Sequence, residues 1–141
     1  MKIAFGCYAC VGLIFAAFGV VYLLKPEFMP YHAAAVGATW EAAPPGFRIL
    51  ILGLMRVAGG AWLAVAAAMG AMLFVPFRQG ARWARWAIPS VGLLAALSSL
   101  YGTLLVQLNT QAPAPWMAAA LAALLCVAGF FTSSRAASSG P

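Results

Sequence analysis

Apolar residues in this chain gather into four long stretches, each separated from the next by a short segment of prolines, glycines and charges. The first runs over about residues 3–24 and holds no charge; Lys25-Pro26-Glu27 ends it. The second follows Pro44-Pro45-Gly46, covers about 47–75 and, beyond Arg48 at its start, contains one charge, Arg56. Pro76 and the basic segment from Arg78 to Arg85 close it. The third covers about 86–108 and the fourth about 115–132. At about 1.5 Å per residue, each is long enough to cross a hydrocarbon core of about 30 Å as a helix. The period-2 alternation that a β-barrel needs is missing. The pattern predicts an all-α integral membrane four-helix bundle. It forms one transmembrane domain over residues 1–133, followed by a flexible C-terminal tail over 134–141.

Composition sharpens this. Of 141 residues, 65% are hydrophobic and 7% charged, against about 25% charged in ordinary soluble domains. A soluble globular domain is therefore excluded. The net charge of +6 needs no nucleic acid to explain it, because it is distributed as a membrane topology distributes it. Four spans put the N-terminus, the second loop and the C-terminus on one side. That side holds Lys2, Arg78, Arg82, Arg85 and Arg135; the other holds Lys25 and Arg48. The excess predicts both termini in the cytoplasm, in a bacterial cytoplasmic membrane. Trp83 and Trp86, each following an arginine, read as anchors at the inner interface, with Trp40 and Trp116 at the outer one. A cleaved signal peptide fits poorly, since the first apolar run exceeds a signal core of about 7–15 residues.

The spans are rich in small residues. Gly12 and Ala16, Gly60 and Ala64, Ala64 and Ala68, and Ala66 and Gly70 each stand four apart, the spacing that lets two membrane helices approach closely. Connections are short except the first outer loop, residues 25–47, which exceeds an ordinary connection. Pro30 is placed to start a short interfacial helix through Tyr31 and His32 towards Trp40 and Glu41, with Pro44-Pro45 ending it.

Arg56 is the most informative residue. It stands eight residues beyond Arg48, roughly 12 Å further along the helix. A charge at membrane depth points by default to a functional site; the competing reading is an arginine that snorkels outward. No acidic residue lies in any span. Hydroxyls and a guanidinium in a bilayer each need a partner. The expected pocket therefore gathers Tyr22, Arg56, Ser98, Ser99, Tyr101 and Gln107 at the outer mouth, with Tyr31–Glu41 as a lid. Such a basic pocket would favour an anionic or carbonyl-bearing ligand. Glu27, His32 and Glu41 form an outer polar cluster without the spacing of a metal site. Cys7-Tyr8-Ala9-Cys10 has redox spacing, but lies in an apolar run on the reducing side, where a thiolate is disfavoured. Two small core residues are the better reading of that pair, as of Cys126. No catalytic constellation, metal motif or defined cofactor follows from the residues.

Several segments carry a resemblance. The first span ends Gly19-Val-Val-Tyr-Leu-Leu-Lys-Pro-Glu, and the second opens Phe47-Arg48-Ile-Leu-Ile-Leu-Gly-Leu and continues through Gly59-Gly60-Ala-Trp-Leu. Arginines close the second loop, and Pro-Ala-Pro-Trp-Met precedes the last span. This layout resembles the small bacterial four-helix membrane proteins grouped as DoxX-like. The resemblance implies a four-helix membrane fold and an association with a quinone-linked oxidase as a membrane subunit. It transfers no catalytic residue. Two functional expectations follow. One is a non-enzymatic accessory or structural subunit of a larger membrane complex or homo-oligomer. The other is a binder or carrier of a small amphipathic ligand, a lipid or quinone, around Arg56.

Overall fold

The structure is a computed structural model that describes the backbone of residues 1–138 and side chains through Ser134. It is an all-α membrane four-helix bundle. Long helices α1 (Lys2–Leu24), α3 (Pro45–Met72), α4 (Ala84–Asn109) and α5 (Trp116–Ser138) are joined by one extra short helix, α2 (Pro30–Val36). All four long helices are long and apolar enough to cross a membrane. Round the bundle the order is α3, α1, α5, α4, and α3 and α4 close the ring with the loosest contact.

Local chemistry explains the boundaries. Pro30 and Pro45 sit in the first turns of α2 and α3, where a missing N–H and a preset φ suit a helix start. Gly37 ends α2 in the left-handed region, at φ 67°. The short helix therefore stops well before Trp40 and Glu41, shorter than the loop prolines suggest. Pro44-Pro45 does not end α2; it begins α3.

Pro76 does not end the second span either. The chain continues through Leu73–Phe77 as a π-turn containing Pro76. The wider turn accommodates a residue that lacks an N–H. The Ala81 N–H bonds the Pro76 carbonyl at 2.9 Å, tying the arginine loop to the end of this helix. The last span also runs further than expected. The helix continues to Ser138, so residues 134–138 of the expected tail are helical. Residues 139–141 of the expected tail lie outside the described residues.

Close packing rests on other glycines than those in the small-residue pairs. A Cβ on Gly19 would meet the Gly59 carbonyl oxygen at 2.9 Å, and one on Gly59 would meet that of Gly19 at 2.8 Å. Helices α1 and α3 thus cross backbone to backbone. Gly92 admits the Cys126 sulfur between α4 and α5, and Gly129 admits the Tyr8 ring between α1 and α5. Gly12, Gly60 and Gly70 have open space where a Cβ would stand.

Two apolar cores result. At the arginine end, Tyr8, Phe15, Met69, Leu73, Phe77, Ile88 and Cys126 interlock. At the α2 end, Phe28, Ala43, Met55 and Tyr22 bind the long first loop onto α1 and α3.

Candidate functional site

Between these two cores the bundle leaves a cleft at its α2 end, with about 720 Å³ of empty space including the open mouth. Helix α1 supplies Phe15, Phe18 and Tyr22, three positions on one helical stripe. Helix α3 supplies Trp62, α4 supplies Ser99, Gly102 and Thr103, and α2 places Tyr31 across the mouth. On the α5 side, Pro115, Ala118, Ala119 and Ala122 present small groups, so space remains opposite the aromatic wall.

The aromatic wall is ordered. Trp62 meets Tyr22 edge to face with ring centres 4.7 Å apart, and Phe18 at 6.0 Å. Its indole N–H donates to Ser99 Oγ at 3.2 Å, while the Ser99 hydroxyl donates to the Ala95 carbonyl at 2.8 Å. The Thr103 hydroxyl donates back to the Ser99 carbonyl at 2.9 Å. The hydroxyls of Tyr22 and Tyr31 bond each other. A pair of phenols holds two O–H donors, and their mutual bond uses one. The mouth therefore offers one free donor, while Ser99 and Thr103 keep acceptor capacity. Burial pushes the Tyr31 hydroxyl above its ordinary pKa, so this donor is retained across physiological pH.

Of the expected pocket residues, the structure brings Tyr22 and Ser99 to the cleft. Arg56 is elsewhere. Its Nη1 donates to the Tyr22 carbonyl at 2.8 Å and its Nη2 to the Lys25 carbonyl at 2.9 Å. These carbonyls belong to the last turn of α1 and the residue after it, which lack partners within the helix. The guanidinium also complements the negative end of the α1 dipole. Arg56 staples α3 to the end of α1 and does not line the cleft. Ser98 and Tyr101 lie on another face: Ser98 is exposed and bonds its own helix at Leu94 (2.8 Å), and Tyr101 is 72% exposed. Gln107 accepts the Ala114 N–H at 2.9 Å and closes the α4–α5 turn.

The outer polar residues do not assemble either. Glu27 and Glu41 are exposed. His32 is half-buried, with its ring edge-on to Tyr31 and Tyr22. Its Nδ1 accepts the Met29 N–H at 3.3 Å, at the start of α2. Among the described residues no three His, Cys, Asp or Glu side chains group as metal ligands would. Cys7, Cys10 and Cys126 are free thiols; Cys126 is core, whereas Cys10 is exposed. Arg48 lies over the Trp40 ring at 5.7 Å, a cation–π contact at the base of the loop.

No protein-family model, curated protein or solved structure matches this chain. The site must be read from its own chemistry. The wall is apolar and aromatic, its polar groups are neutral, and Tyr22 and Tyr31 are its ionisable members. Sequence reasoning missed Trp62, Thr103, Phe15 and Phe18. Two signals pointed to all of these but Thr103: the i, i+3, i+7 stripe of Phe15, Phe18 and Tyr22, and a tryptophan far from the interfacial belt where such residues concentrate.

Proposed function

We propose that this protein binds one small, uncharged, ring-bearing amphipathic molecule of the lipid or quinone class in the cleft under Tyr31. The observation that carries this reading is the aromatic wall with one unspent phenolic donor at its mouth. Aromatic rings stack a planar ligand, small α5 residues make room for it, and the free O–H meets a carbonyl. No residue is assigned to catalysis. The reading places the chain in a bacterial cytoplasmic membrane with both termini in the cytoplasm, so that α2 faces outward, and treats its DoxX-like layout as kinship. A reporter active only outside the cytoplasm, fused after Pro141, should then stay silent.

Gentle detergent extraction followed by mass spectrometry of bound small molecules tests the cleft. The wild-type chain should retain such a molecule. Ala118→Phe, which fills the space opposite Trp62, should lose it while keeping helical content. Retention by the filled variant would refute the reading.

A second reading rests on Tyr101. Its phenol is exposed about two turns inside the end of α4, and Ser98 is exposed about one turn further in. A polar group facing hydrocarbon favours a neighbouring helix that supplies a partner. This supports an accessory subunit docking on α4. A stoichiometric protein in the same extract, lost on Tyr101→Phe, would favour it.

A further inference from the structure

The end of the bundle away from α2 carries Arg78, Arg82 and Arg85 within one short loop and the start of α4, whereas both acidic side chains, Glu27 and Glu41, stand at the α2 end. Helix α4 is entered through overlapping three-residue turns. The N–H groups of Ala84, Arg85 and Trp86 donate to the carbonyls of Ala81, Arg82 and Trp83 at 3.2, 3.3 and 3.1 Å. In such turns, residues three apart stand one above the other. Arg82 and Arg85 therefore share one face, and Trp83 and Trp86 the adjacent one. Both indoles are open to the surroundings, at 57% and 65% exposure. The Trp86 ring rests against Phe130 of α5 at 4.7 Å, which fixes this face to the bundle. Arg82 is exposed and Arg85 half-buried. Among the described residues the Arg85 Nε, shielded from solvent, has no hydrogen-bond partner. A buried N–H of a charged group that lacks an acceptor is costly, and no acidic side chain of this chain lies at that end to supply one.

We propose that the Arg82–Trp86 turn is a docking site for the phosphate headgroup of an anionic phospholipid. Phosphate oxygens match the guanidinium forks of exposed Arg82 and half-buried Arg85, which share one face. The positive end of the α4 dipole adds to the attraction. The two indoles hold the headgroup–acyl boundary at this depth. A zwitterionic lipid carries its own ammonium, which competes for the same phosphate. The site is separate from the cleft and independent of its ligand.

Native mass spectrometry of the full chain, released from mixed phosphatidylglycerol and phosphatidylcholine micelles, tests the proposal. Each basic residue at a membrane surface gives about fivefold in affinity, so the pair should favour phosphatidylglycerol roughly 25-fold. Arg82→Gln, at an exposed position, should lower the preference about fivefold, and adding Arg85→Gln should bring it near parity. Replacing both by Lys should keep most of the preference, which separates lost charge from lost fold. Equal retention of the two lipids by the wild-type chain would overturn the proposal. So would an unchanged preference in the double Gln variant, or displacement of the lipid by inorganic phosphate alone.

Discussion

Arg56 shows how one charge at membrane depth is satisfied without a counter-ion: two carbonyls at the end of a neighbouring helix take its two forks. Arg56→Leu should therefore lower stability by about 1.5–3 kcal/mol, the range for hydrogen bonds to a charged group. Thermal unfolding in a fixed detergent measures this, and ligand retained by folded Arg56→Leu should match the wild type. Loss of ligand without loss of stability would return Arg56 to the site. His32 acts at the same scale. Burial holds its imidazole below the ordinary value near 6.5. Its neighbours, Tyr31 and Tyr22, are neutral rings. The unfolded chain binds the proton more readily, so the stability given by neutral His32 is present above about pH 6.5. It is lost as pH falls through that value towards the folded pKa, because a protonated Nδ1 no longer accepts the Met29 N–H. Hydrogen exchange of the α2 amides should speed up on going from about pH 7.5 to about pH 5.5, beyond the intrinsic pH effect on exchange. In His32→Gln that excess should vanish. The sequence revealed that Arg56 needed partners but not which ones. Backbone carbonyls at a helix end have no signature in residue type, so a stapling arginine and a ligand-binding one look alike.

At the scale of helices, much was legible, because a bilayer admits few backbone solutions. Length and unbroken hydropathy predicted four helices, and Pro30 predicted the short one. What escaped were features set by a neighbour. Pro76 reads as a stop until the π-turn is seen to carry the chain past it. Gly12 and Gly60 have the spacing of a contact pair, yet Gly19 and Gly59 make the close crossing. Spacing within one helix does not say which face meets another. The crossing makes a clear prediction. A methyl on Gly59 would lie 2.8 Å from the Gly19 oxygen and 3.0 Å from the Leu23 nitrogen. These are backbone atoms, which yield only if the helices separate. Gly59→Ala should cost about 1–3 kcal/mol by overpacking and lower the melting temperature in detergent. Gly60→Ala points into open space and should be neutral or mildly stabilising, since alanine is the better helix former. Equal effects at the two positions would contradict the crossing.

Across the whole molecule, formal charge is kept away from the cleft. Seven of the eight basic residues and both acidic ones lie in loops or near helix ends, and the eighth, Arg56, is bound to the end of α1. The cleft is lined by rings, methyl groups and neutral hydroxyls. The sequence suggested a basic pocket for an anionic or carbonyl-bearing ligand; the lining is neutral, and on the proposed reading only the carbonyl part of that expectation fits it. A carboxylate in this cleft would shed water and find one phenolic donor, which does not offset the loss. Two probes with the same ring system, one ending in a ketone and one in a carboxylate, test this by native mass spectrometry in a neutral detergent. The ketone should bind at least about tenfold more tightly, since an unpaired buried charge costs more than an unpaired carbonyl. Its affinity should not change with added salt, because screening acts on charges and none takes part. Tyr31→Phe removes one phenol and leaves the Tyr22 hydroxyl without its protein acceptor, so it keeps a donor at the mouth. Replacing both tyrosines removes the donor, and the ketone's advantage over the plain ring hydrocarbon should disappear only then. A carboxylate that binds as well as the ketone and weakens with salt would mean that Arg56 leaves α1 to meet it, and the cleft would have to be redrawn around that guanidinium.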